Sequence, residues 1–124
     1  MRCFIAVDPK EIEELIHSGS KIFSNILFLA EFEAENEDVE EREFELSLLA
    51  ARDSLEKQVR QGKSNPRGYV LAVDLASVPK DQPLADQSIA WADVDSILVA
   101  DSHDEELSWY ARQEVEIFLP NWLS

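Results

Sequence analysis

Residues 38–62, DVEEREFELSLLAARDSLEKQVRQG, carry the longest uninterrupted helical pattern in the chain, and everything else must be arranged around it. Phe44, Leu48, Ala51, Leu55 and Val59 recur at steps of 3 and 4, which predicts one buried face on an α-helix. Asp38 with Glu41 three residues later reads as a capping box, and Gly62 as the C′ stop. Glu40, Glu41, Glu43 and Glu45 crowd the front while Lys57 and Arg60 lie at the back, the distribution a helix dipole favours. Such a helix predicts the central amphipathic layer of a compact domain.

On either side of it, short apolar runs alternate with helix signals. Residues 2–7, with Cys3, Phe4, Ile5 and Val7, predict a buried strand. Asp8, Pro9 and Glu11 then start a helix as cap, first helical residue and capping-box partner; Ile12, Leu15 and Ile16 form its stripe, and Gly19 ends it. Residues 20–37 admit two readings. Acids alternating with Phe32 and Ala34 favour a strand over roughly 25–32, whereas Leu, Ala and Glu also suit a helix. After a turn at 63–68, residues 69–75 (YVLAVDL) predict a central strand covered on both faces.

Residues 77–87 read as a polar loop, 89–94 as a tight turn or a single helical turn, and 96–100 as another strand. Ser102 and Glu105 then open a closing helix that buries Leu107, Tyr110, Ala111, Val115 and Phe118 and stops at Pro120. The order β-α-β-α-β-β-α predicts an α/β fold of α+β-like character. It is a single-domain sandwich over residues 1–120, about four strands in a mixed sheet with three helices, and 121–124 form a C-terminal tail.

The 124 residues suffice for one hydrophobic core without disulfides or metals. A formal net charge of −15 repels nucleic acid and anionic membrane surfaces and attracts basic proteins or other cationic partners. Nine of the 26 acids fall within residues 31–45, which argues against charge spread evenly for adaptation to salt. Cys3 is the one cysteine, so no intrachain disulfide forms, and it reads as a small buried strand residue. The opening MRCFIAVD is too short for a signal-peptide core, and no apolar run reaches the about 18 residues of a membrane span. Together these features predict a cytoplasmic protein.

The strand MRCFIAV, the helix EEREFELSLLAARDSL, the strands RGYVLAVDL and DVDSILVAD, and the closing EELSWYARQEV follow one another across most of the chain. In that order they resemble a family of small uncharacterised actinobacterial proteins, a domain of unknown function, with the Glu-rich Trp-Tyr-Ala segment the most specific piece. The resemblance implies a cytoplasmic bacterial protein of mixed α/β fold. It brings no activity, cofactor or catalytic residue to transfer.

Two constellations are candidates for function. Asp8, Asp74 and Asp101 each lie at the C-terminal end of a predicted strand, where open α/β sheets bind ligands; with Asp104 they offer hard oxygen ligands for Mg²⁺. Asp8 also has work as a helix cap. The second comprises Glu31, Glu33, Glu35, Glu37, Glu40 and Glu41 together with Trp109, which the helical reading turns away from the core stripe beside charged neighbours, as a binding anchor stands. Otherwise Trp109 covers the core edge or packs beneath the tail that holds Trp122. Five basic residues (Arg52, Lys57, Arg60, Lys63 and Arg67) read as a solvated, dipole-matched face or a small anion patch. No GxSxG elbow or glycine-rich phosphate loop occurs. The leading expectation is a non-enzymatic interaction module, with no catalytic residues and no cofactor, that meets a basic partner through its acidic surface. The alternatives are a small Mg²⁺-dependent enzyme or sensor and a homodimer that pairs through Trp109 or a sheet edge.

Overall fold

The computed structural model describes residues 2–24, 26–28, 39–63, 66–74, 87–101 and 107–123. In chain order the elements are β1 (Arg2–Val7), α1 (Pro9–Ser18), β2 (Ser20–Phe23), β3 (Ile26–Phe28), α2 (Val39–Arg60), β4 (Arg67–Asp74), β5 (Gln87–Ala90), a 3₁₀ turn (Trp91–Asp93), β6 (Val94–Asp101), β7 (Leu107–Ala111) and α3 (Arg112–Leu123). They make one α+β domain with three helices in the expected order.

A five-stranded sheet in the order β3-β1-β4-β6-β7 forms the middle layer, and β2 and β5 pair separately. Every ladder is antiparallel, so the sheet is not mixed. β4 holds the centre with both faces buried, as its continuous apolar run predicts. Side chains alternate across the sheet. Cys3, Ile5, Val7, Tyr69, Leu71, Val73, Ile97 and Val99 join Ile12 and Leu15 of α1 and Val115, Leu119 and Trp122 of α3 in one core. Phe4, Ala6, Val70, Ala72 and Ala100 face α2 on the other side. Burial pushes the Cys3 thiol up to about 12, in keeping with a packing role.

The helix punctuation follows the sequence closely. Asp8 accepts from the Glu11 amide at 2.8 Å and Glu11 accepts from the Asp8 amide at 3.2 Å, a complete capping box. Gly62, at φ 77°, ends α2 in a Schellman motif: its N–H donates to Val59 and that of Lys63 to Gln58.

Four expectations are corrected. The strand expected over 25–32 is present as the short β3, an additional strand, β2, precedes it at Ser20–Phe23, and residues 29–38 lie outside the described residues. The single helical turn expected within 89–94 stands at Trp91–Asp93, but Gln87–Ala90 before it is a strand, β5, paired with β2; the partners sit some seventy residues apart (Ser20↔Ala90), which leaves no local signal. Residues 107–111 form a strand, since the far edge of β6 offers a ladder to Leu107, Trp109 and Tyr110. Helix α3 starts only at Arg112 and runs through Pro120 to Leu123, so residues 121–123 are no loose tail. The proline forgoes one helical hydrogen bond, but Trp122 beyond it is buried against Tyr69 and Tyr110, with ring centroids at 5.4 and 5.2 Å.

Helix α2 also presents a different face to the sheet. Ala51 and Leu55 are buried as expected, but Phe44 and Val59 are 47% and 59% exposed, while Ser47, Ala50, Ser54 and Gln58 are buried. The helix is thus rotated by roughly 70° from its apolar stripe, at about 100° per residue. Two contacts compel this. A side chain at Gly68 would press on the Ala51 backbone, its Cβ 3.0 Å from the carbonyl carbon and nearer still to the oxygen, so α2 rests directly on β4. Ser54 Oγ donates to the Val7 carbonyl at 2.5 Å and accepts from the Tyr69 amide at 2.9 Å, joining the helix to the last paired residues of β1 and β4.

Candidate functional site

That rotation opens a site at the other end of α2. The helix lies tight on the sheet at Ala51 and Ser54 and still buries Leu46 and Ser47, but Glu40 and Phe44 are exposed, so Phe44 has no place in the core. Between the first turns of α2 and β7 runs an open groove of about 330 Å³. Phe4, Ala72, Ser96 and Leu98, on neighbouring strands, form its floor; Phe44 lines one wall and Leu107 and Trp109 the other. Trp109 is 59% exposed.

The rim is acidic. Glu40 and Glu43 line the groove from α2 and have no cationic partner among the described residues. Asp95 and Arg2 close one end, where Arg2 reaches Asp95 at 3.1 Å and Asp74 at 3.5 Å. A bulge between Ala72 and Val73 places Asp95 outside the paired register. Apolar walls with carboxylates at the edge suit a ligand that is itself apolar and cationic. The volume is small for a folded partner and sufficient for a few side chains.

The groove unites two residues nominated on separate grounds, Glu40 from the acidic run and Trp109 from the closing segment. Glu41 is exposed on α2 and does not line it. Glu31, Glu33, Glu35 and Glu37 lie outside the described residues. Phe4, Phe44, Leu98, Leu107, Glu43 and Asp95 are additions the sequence reading did not make. One pattern could have found them: Ser47, Ala50, Ala51 and Ser54 recur at steps of 3, 1 and 3, a small-residue face that would have turned Phe44 outward.

The strand-end carboxylates separate. β1 and β4 run antiparallel with Arg2 opposite Asp74, and β4 and β6 antiparallel with Arg67 opposite Asp101. Asp8 and Asp101 therefore belong to one end of the sheet and Asp74 to the other, roughly 20 Å away along an eight-residue strand. Their convergence on one site, a candidate only, would have needed parallel strands. Asp8 caps α1 and faces Lys57 at 3.9 Å, and Asp74 pairs with Arg2. Among the described residues, no three His, Cys, Asp or Glu side chains gather as a metal-holding group.

The basic cluster divides as well. Arg52, Arg60, Lys63 and Arg67 are exposed, while Lys57 binds Glu11 Oε1 at 2.8 Å and ties α2 to α1. That hydrogen bond raises the Lys57 pKa, against a smaller opposing effect of burial.

Compared with known protein families, with curated proteins and with solved structures, the chain matches none. Among the described residues no helix is long and apolar enough to cross a membrane.

Proposed function

We propose that the protein is a non-enzymatic, cytoplasmic interaction module that receives a basic, partly apolar segment of another protein in the groove between α2 and β7. The observation that carries this is the coincidence of exposed Phe44 and Trp109 around one opening with Glu40 and Glu43, which have no cationic partner among the described residues. Aromatic anchors supply contact area when desolvated, and rim carboxylates steer a cation and reject an anion. The net charge of −15 extends the same preference beyond the groove, against nucleic acid and anionic membranes. The acids of 31–45 precede and enter α2 in the chain, so they add to the field on any partner approaching this helix.

The test uses peptides of defined charge. A lysine–leucine helix former and a lysine–valine strand former are titrated against the protein by tryptophan fluorescence, beside glutamate counterparts of equal length. At least one cationic peptide should bind and neither anionic one should. The double variant Glu40→Lys, Glu43→Lys should weaken binding tenfold or more, and so should 0.5 M salt, where the screening length falls to about 4 to 5 Å. Equal binding of cationic and anionic peptides, or indifference to the double variant, would overturn the proposal.

A further inference from the structure

Resting on that function, we infer that the segment binds as an extended strand added to the free edge of β7. Among the described residues β7 is the last strand of its sheet, and one side of its backbone has no ladder with them. The Ala111 N–H donates to Glu114 Oε1 at 3.3 Å, and with its donor taken by a side chain Ala111 is assigned an orientation away from the β6 ladder. Because backbone groups of alternate residues point the same way along a strand, Trp109 and Leu107 present their N–H and C=O groups on that outer side too. Their side chains lie on the α2 face, in the groove. Backbone donors and the apolar pocket thus belong to the same two residues. A strand laid about 4.8 Å outside β7 would set every second side chain beside Trp109 and Leu107, under the carboxylates of Glu40 and Glu43.

Charge selects the occupant. Natural edge strands are commonly blunted by lysine, proline or a bulge, and the β7 sequence LSWYA has no lysine or proline. A second copy could pair there only by bringing two chains of −15 together, whereas a basic strand is drawn in by the same field. The fitting segment alternates lysine or arginine, whose methylenes cross Trp109 and Leu107 while the charged ends reach Glu40 and Glu43, with apolar residues on the opposite face beside exposed Ser108.

The decisive experiment compares an alternating lysine–valine octapeptide with two versions N-methylated at only the lysines or only the valines. Each version blocks one edge of the peptide's backbone. One should lose binding tenfold or more while the other stays within threefold of the parent, and saturating parent peptide should slow hydrogen exchange at the Trp109 and Leu107 amides at least tenfold. If both methylated versions bind like the parent, or the lysine–leucine helix binds more tightly than the strand peptide, strand addition is overturned and the basic-segment function stands. If no cationic peptide binds, both are overturned. A dimer by sedimentation at low salt without peptide, with the Trp109 amide protected, assigns the edge to a second copy and also overturns the inference.

Discussion

The two faces of the central sheet are packed on opposite principles. Toward α1 and α3, the sheet offers Ile5, Leu71, Ile97 and Val99 to large aliphatic and aromatic partners, and the layer closes around Trp122. Toward α2, it offers mostly alanines, Gly68 and Ser96, with Phe4 and Val70 among them, to a helix that replies with Ala50, Ala51, Ser47 and Ser54 beside a single buried leucine, Leu46, in that cluster. Large residues seal a face because interdigitating side chains fill the space between layers. Small ones let backbones approach, but only where the two surfaces run close. Helix α2 spans about 33 Å over 22 residues, so its tight contact at Ala51 and Ser54 covers only part of its length, and Glu40, Glu41 and Phe44 are exposed at the other end. The sealed face holds the fold together. The close-packed face creates the groove.

The largest expected effect sets a buried aromatic against an exposed one. Trp122→Ala should cost about 3 to 5 kcal/mol by denaturant unfolding, since it empties the cluster with Tyr69 and Tyr110. Phe44→Ala, an equally drastic truncation on the α2 side, should stay within about 0.5 kcal/mol of wild type. A large loss at Phe44 would mean that α2 closes onto the sheet along its whole length.

Gly68→Ala should destabilise by about 1 to 3 kcal/mol, because the added methyl must push α2 away from β4. If stability is unchanged, close approach is not what sets the rotation of α2. Ser54→Ala should also cost about 1 to 3 kcal/mol, because it removes the partner of the buried Val7 carbonyl and Tyr69 amide. A Ser54→Ala protein as stable as wild type would show that packing alone orients the helix.

The smallest effect belongs to the exposed link between the helices. Lys57→Met should lose a few tenths of a kcal/mol at pH 7, as partly exposed ion pairs do. Glu11 raises the Lys57 pKa in the folded protein, so the stabilisation is present below the ordinary lysine value of 10.5 and fades as pH rises through the folded value. The stabilities of the two proteins should therefore begin to converge only above about pH 10.5, as Lys57 of the folded protein loses its proton. A gap that persists there would assign the effect to the Lys57 methylenes.

Local rules were enough for part of this molecule. Asp8, Pro9, Glu11, Gly19 and Gly62 act within three or four residues of their own position, so the bounds of α1 and the end of α2 could be read directly. The apolar run through Val70 and Leu71 likewise declared a strand with both faces covered. The groove was half legible: Glu40 and Trp109 stood out as charged and aromatic residues, with nothing to show that they share an opening. The face of α2 was misread because Phe44 and Val59 are apolar, and apolarity alone does not tell a core position from a binding wall.

What only the tertiary structure decided has one physical reason: it depends on partners remote in the chain. β2 is a strand because β5 pairs with it, and Leu107, Trp109 and Tyr110 are in a strand because β6 has an open edge. Antiparallel pairing on both sides of β4 sent Asp74 to one end of the sheet and Asp8 and Asp101 to the other. The absent side chain at Gly68 and the hydroxyl of Ser54 turned α2 against its apolar stripe. Sequence determined the bounds of α1, the end of α2 and which strand is central; contact across the sheet determined which residues face the groove.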